Sequence, residues 1–147
     1  MVKTLFAPLG LSYGSLFSAV ALTQPDRVIV VSSRQASQNL TLVVEALAAI
    51  DCHCPIELHT LSDPFTGFLE GRQLAKKLAQ KEATEHNIVC LTGGTTALQD
   101  AIKTIAIFTR ADEMAVIDRR QIEEQRANPF IVGEMVKIPK LDLALER

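Results

Sequence analysis

Three cysteines are an odd number, and two of them, Cys52 and Cys54, fall in the single stretch "DCHCP". No cysteine spacing here would staple a fold. Nor does any stretch approach the roughly 18 consecutive apolar residues of a membrane span. The N-terminal "MVKTLFAPLGLSYGS" carries one early lysine, but polar and turn residues interrupt its apolar run, so it makes a poor secretion signal. A cytoplasmic protein with reduced thiols is the expectation. Charge of one sign is lacking too: 15 Lys and Arg stand against 17 Asp and Glu, a net charge of -2. No global basic field is available to hold long DNA or RNA. A small anionic ligand stays open, provided a local site supplies the donors. The common catalytic loops are missing as well: there is no GxxxxGK[ST], no GxGxxG and no G-x-S-x-G elbow. No internal repeat, low-complexity segment or linker divides the chain.

What the chain does have is enough apolar sequence for one core: 147 residues, 48% hydrophobic, read as a single domain over 1–147. Short β-rich runs alternate with helical patterns. "TLFAP" (Thr4 to Pro8) and the continuous apolar run "RVIVVSS" (Arg27 to Ser33) are expected strands of a buried parallel sheet. "PIELHTL" (Pro55 to Leu61), "NIVCLT", "EMAVIDRR" and "GEMVKIP" give four more, the last at a sheet edge. Between them, Leu16, Ala19 and Val20 share one helical face. Leu40, Val43, Val44 and Leu47 keep i, i+3, i+4, i+7 spacing within one helix over "QASQNLTLVVEALAAI". Asp63 as N-cap and Pro64 at the first helical position open a helix running to about Gln80. Leu98, Ala101, Ile102 and Ile105 mark another. "RRQIEEQRANP" reads as a charged, loop-prone excursion over a solvated face. Strand and helix in alternation imply an α/β fold: a doubly wound, mostly parallel sheet of about six strands with helices on both faces.

In such sheets ligands bind beyond the carboxyl ends of the strands, where helix N-termini present free N–H groups. That edge gathers "GLSYGS" (Gly10, Leu11, Ser12, Tyr13 and on to Ser15), Ser32 to Arg34 with Ser33 between them, His59 to Phe65, "TGGTT" (Thr92, Gly93, Gly94, Thr95, Thr96), and Asp118 with Arg119 and Arg120. Glycines permit close backbone approach, and threonine hydroxyls donate, so two Gly/Ser/Thr turns on one edge suit phosphate or sugar. Arg119 and Arg120 at a strand end could clamp phosphate, or form a surface ion-pair cluster. His59 alone at a strand end is more often structural than catalytic. "DCHC" looks metal-like on paper, but it lies on the opposite edge and reads as a helix-to-strand turn with half-buried thiols.

"APLGLSYGSLFSAVALTQPDRVIVVSS", "SDPF" before a helix and "LTGGTTAL" together resemble the CARF domain, the CRISPR-associated Rossmann-fold sensor, over roughly residues 1 to 140. The resemblance implies a Rossmann-like homodimer that binds a cyclic oligoadenylate of type III CRISPR systems: cyclic tetra-adenylate, or cyclic hexa-adenylate. It implies no cofactor, no metal, no membrane and no long nucleic acid. A ring of identical nucleotides is itself symmetric and can lie across a dimer axis. A free-standing member could destroy the messenger as a ring nuclease, and the family's ring nucleases work without metal by attack of a ribose 2′-OH on the adjacent phosphorus. By resemblance, Ser12 contacts the ribose or phosphate, and Gly93, Gly94 and Thr95 cradle the backbone. The family pattern commonly places a lysine directly after "GGT", and here that residue is Thr96. Arg34, Arg119 and Arg120 are the candidates for the missing charge. Binding without cleavage, as a sensor or sink acting on a separate partner, is the alternative reading, and a fragment of a longer effector is a further one.

Overall fold

Lys3–Leu9 (β1) and Arg27–Ser33 (β2) run side by side at the centre of the sheet in a computed structural model that describes residues 1–140. Both are buried on both faces, as their continuous apolar runs require of parallel strands. Ile56–Leu61 (β3), His86–Cys90 (β4), Asp112–Ile117 (β5) and Glu134–Ile138 (β6) complete the sheet in the order β3-β2-β1-β4-β5-β6. The first five strands are parallel, and β6 pairs antiparallel with β5 at the edge. Four of the five β6 residues are exposed.

The period of two along β1 sorts the core into two layers. Leu5, Ala7 and Leu9 face Gly14–Thr23 (α1) and Leu40–Ala49 (α3), packing with Leu16, Val20, Val43 and Leu47. Phe6 points the other way, with Ile29 and Val31, toward Phe68–Glu82 (α4) and Thr96–Thr109 (α5). On α5, Leu98, Ile102 and Ile105 are fully buried. Each such side chain contributes about 1.5–3 kcal/mol, and truncating Ile102 to Ala should cost about 2–5 kcal/mol once its cavity is counted. The helix stops at Arg110, which takes a left-handed φ of 55° and returns its N–H to Ala106 O. At the amino edge of the sheet, the buried Glu82 carboxylate lies 2.9 Å from Arg27 Nη1, while Arg27 Nε donates to Thr4 Oγ1 at 3.3 Å.

Three helical expectations change in detail. The single helix over 35–50 is two: Arg34–Ser37 (α2), then α3 after a turn at Gln38 and Asn39. Ser33 caps α2 by accepting from Ala36 N at 3.0 Å, and Ser37 Oγ donates back to Arg34 O at 2.6 Å. Such local bonds compete with helix continuation. Val43 and Leu47 are buried, whereas Val44 is exposed. The helix expected from Asp63 and Pro64 starts four residues later, with Gly67 as its cap. Asp63 Oδ1 accepts from Phe65 N and Thr66 N at 2.9 and 3.1 Å, closing a turn, and the poor helix formers Thr66 and Gly67 delay the helix. Within the charged excursion lies a short exposed helix, Ile122–Ala127 (α6). No helix among the described residues is long and apolar enough to cross a membrane.

Candidate functional site

The strand order reverses direction between β1 and β4, and there the sheet splits. The β1–β2 ladder runs on to Leu9 and Ser32, but the β1–β4 ladder stops at Phe6 and Val89. Pro8 follows two residues later; lacking an N–H, it sits where the bond to β4 has already ended. The two turns leaving this gap, Gly10–Tyr13 and Thr92–Thr95, touch backbone to backbone. A Cβ on Gly10 would lie 2.8 Å from Gly94 Cα and 2.9 Å from Gly94 N. Gly93 and Gly94 have φ of 94° and 75°, where side chains are strained. A Cβ on Gly94 would meet Pro8 Cβ at 3.1 Å and Leu98 at 3.2 Å, and one on Gly93 would meet Ser15 Oγ at 2.6 Å. The missing side chains are thus required first by the fold itself.

The apposed turns leave donors to spare. Among the described residues, the amides of Gly93, Gly94, Thr96 and Ala97 have no hydrogen-bond acceptor within the chain. Thr95 caps α5 by accepting from Leu98 N at 3.3 Å, and its hydroxyl donates to Pro64 O, tying the β4 turn to the turn after β3. Gln99 Nε2 donates to Gly93 O at 3.0 Å, a buttress that nothing in the motif pattern announced. Thr92 Oγ1 accepts from Val116 N at 2.9 Å and so anchors the turn to β5.

Two cavities flank the turns. The larger, about 620 Å³, lies over the ends of β1 to β4 between Gly10–Ser12, Ser33–Gln35, Ser62–Phe65 and Gly93–Thr95. The other, about 390 Å³, lies toward β5 and α6 and is bordered by Tyr13, Asp118 and Arg126. Leu11, Ser12 and Gly93 border both. Ser12 is exposed, with no side-chain hydrogen bond among the described residues, and Tyr13 packs on Phe130 with ring centroids 5.6 Å apart. A third cavity, about 320 Å³, opens at the opposite edge around Lys3, His86 and Met135.

Of the expected site residues, the structure brings together Gly10, Leu11, Ser12, Ser33, Arg34, Gly93, Gly94 and Thr95 around the larger cavity, with Tyr13 and Thr92 on the smaller. Thr96 is exposed and borders neither. Arg34 is the one charged side chain bordering the larger cavity, and its guanidinium has no partner among the described residues. Arg119 and Arg120 are not brought there. Arg119 is paired with Glu134 on β6. Arg120 grips Asp118 through Nε at 3.0 Å and Nη2 at 2.7 Å, and donates to Asn128 O at 2.9 Å. Their charges are spent on the 118–128 loop and the sheet edge, and the Arg120 bonds hold the Asp118 carboxyl below its usual range. His59 lies 3.2 Å from Glu57 Oε2, its Nε2 otherwise without a partner, and borders neither cavity.

"DCHC" sits at the amino edge. Cys52 and Cys54 pack against the α1/α3 core, and His53 faces Asp51 at 3.2 Å. Burial, with the Cys52 thiol alongside, pushes the Cys54 thiol up to about 11. Among the described residues no cluster of three or more His, Cys, Asp or Glu is arranged to hold a metal.

A split parallel sheet with free amides at its switch point defines a Rossmann-like α/β domain. Comparison of the fold sharpens the class. The chain superposes on Can2 from Sulfobacillus thermosulfidooxidans in complex with cyclic tetra-adenylate with a TM-score of 0.67 and 15% identity, covering 78% of this chain and 32% of Can2. Csm6 from Enterococcus italicus, bound to cyclic hexa-2′-fluoro-hexa-dAMP, matches over 99% of this chain and 44% of its own, with a TM-score of 0.73 and 18% identity. A type III CRISPR defence DNA nuclease activated by cyclic oligoadenylate matches at a TM-score of 0.60 and 17% identity, over 79% of this chain and 19% of its own. The fold is therefore CARF-like. The chain spans less than half the length of each of these proteins. No family model and no curated relative matches the sequence.

Proposed function

We propose that this chain binds a cyclic oligoadenylate, cyclic tetra-adenylate before cyclic hexa-adenylate, across the axis of a homodimer. The observation that carries the reading is the contact between the Gly10 and Gly94 turns, which opens unpartnered amides and the free Arg34 onto one cavity. Amides and a helix N-terminus meet a phosphodiester without a large net positive charge, which suits a chain of net charge -2. α5 begins directly after the Gly93–Gly94 turn and is fourteen residues long, enough for its positive end to face the cavity.

Cleavage is the finer part of the proposal. The ring nuclease step forms a bond from a ribose 2′-oxygen to the adjacent phosphorus and breaks the bond from that phosphorus to the neighbouring 5′-oxygen. The 2′-proton leaves and a proton ends on the 5′-hydroxyl, so the product is linear with a 2′,3′-cyclic phosphate. Ser12, exposed between the two cavities, holds the ribose or phosphate in line, and the Gly93 and Gly94 amides with Arg34 take up charge on the equatorial oxygens. A specific observation favours the binding-only reading: Thr96 replaces the expected lysine, and Arg119 and Arg120 are engaged elsewhere. Among the described residues, Arg34 remains as the one cation bordering the larger cavity.

The test is incubation of the protein with labelled cyclic tetra- and hexa-adenylate in EDTA, with binding and product length measured together. Linear products that vanish in Ser12→Ala, with binding nearly intact, support cleavage. Tight binding of an uncut ring supports a sensor or sink. Neither binding nor cleavage refutes the proposal.

A further inference from the structure

Phe65 is a large apolar side chain 75% exposed, and it stands on the wall of the larger cavity. Its loop is not free to fold it away. Asp63 Oδ1 holds the Phe65 and Thr66 amides, Glu70 Oε1 accepts from Ser62 N at 2.6 Å, and the Thr95 hydroxyl is bonded to Pro64 O. These ties, from Asp63 within the turn, Glu70 on α4 and Thr95 at the cap of α5, fix the backbone that carries an aromatic ring on the wall of a cavity also bordered by Gly10, Gly93 and Gly94. On the turn after β1, Leu11 is also exposed, at 63%, and Arg34 supplies the cation. A ligand matching this arrangement has an anionic part for the amides and Arg34, and a flat apolar part for Phe65. A bare phosphate or sugar phosphate lacks the second.

We propose that Phe65 is the stacking platform for a purine base of the bound nucleotide, and that it makes the site selective for nucleobases over bare phosphodiesters. This rests on the nucleotide-binding reading above and adds to it the residue that reads the base. Stacking of a base on an aromatic side chain typically stabilises by about 1–3 kcal/mol, so a ring at this position changes affinity by roughly 5- to 150-fold. Because the ties already order the backbone of this turn, the ordering left on binding is that of the Phe65 side chain.

The experiment uses three variants of the whole chain, with cyclic tetra-adenylate and inorganic pyrophosphate as probes and calorimetry as readout. Phe65→Ala should bind the ring at least 5-fold more weakly, with pyrophosphate binding and melting temperature unchanged. Phe65→Leu, apolar but not flat, should remain weak. Phe65→Trp should restore affinity and, because the chain has no tryptophan of its own, should report stacking directly as quenched emission on ring binding. If the parent protein binds the ring but Phe65→Ala binds it equally well, or the new tryptophan is not quenched, the stacking proposal is wrong while the functional reading stands. If Phe65→Ala changes the sedimentation coefficient but not ring affinity, Phe65 belongs to a protein interface and the proposal fails. If the parent does not bind the ring at all, both fall together.

Discussion

Replacing Gly10 by Ala tests the feature on which everything else depends, the contact between the β1 and β4 turns. The new Cβ would stand 2.8 Å from Gly94 Cα, roughly half an ångström short of the 3.4 Å at which ordinary contact begins. Its neighbour is backbone, not the end of a flexible side chain, so no rotamer change relieves the overlap. Gly94 is itself closely walled, since a Cβ built on it would meet Pro8 Cβ at 3.1 Å and Leu98 at 3.2 Å. Overpacking of this kind costs about 1–3 kcal/mol, and in a chain of this size each kcal/mol lowers Tm by about 2–4 °C. A thermal melt should therefore fall by about 2–12 °C. Ring affinity should fall by about tenfold beyond that, because spreading the turns displaces the amides that meet the ligand. Gly93→Ala offers a contrast: its overlap is with the Ser15 hydroxyl, which can rotate, but its φ of 94° penalises any side chain. Adding Ser15→Ala should relieve only part of that loss. A Gly10→Ala protein that melts within a degree of the parent would refute the claimed contact, whatever the ligand does.

Arg34→Ala should leave the melt unchanged and weaken the ring by about 10- to 150-fold, in line with loss of a charged hydrogen bond; equal affinity would remove Arg34 from the site. Arg27→Met strands the buried Glu82 carboxylate and should destabilise the fold by about 3 kcal/mol in urea titration. Asp63 is held below its ordinary value of 3.8 by the Phe65 and Thr66 amides. Its folded pKa is depressed, so its contribution is complete above about pH 4 and lost as pH falls below that range. Titration by NMR should place the midpoint under 3.8, with the Phe65 and Thr66 amide shifts following it; Asp63→Asn should abolish that dependence. Burial raises the Cys54 and Cys90 thiols, so at pH 8 these two should react slowly with iodoacetamide in the native protein and quickly once it is unfolded. Rapid native labelling of Cys54 would contradict its packing.

Where hydrophobic pattern alone decides a structure, the amino-acid order was sufficient. "RVIVVSS" became β2 over the same seven residues, because a continuous apolar β-branched run has no stable place except a strand covered on both faces. All six expected strands formed, since period and turn chemistry are local. The candidate site was legible to the same depth. Glycine turns after the first and fourth strands are marked in sequence, and the alternation of strand and helix puts both at one edge. Gln99 left no such mark, and Phe65 was legible only as the end of a turn at that edge; the tertiary structure puts its side chain on the cavity wall and the Gln99 amide on Gly93 O.

Charge was the part that sequence could not distribute. Arg34, Arg119 and Arg120 are equivalent in the primary structure, all arginines just past a strand. Their fates were decided by which carboxylate each one meets across 15 residues or two, Glu134 for Arg119 and Asp118 for Arg120, while Arg34 meets none among the described residues. The same holds for the split between β1 and β4. Proline at position 8 is visible in the sequence, but its role depends on the strand lying opposite, which is fixed by the crossover and not by the residue. Local pattern set the elements, because backbone and side-chain preferences act within a few residues. Only the fold decided which free amides and which free cation share one cavity, because those are properties of pairs far apart along the chain.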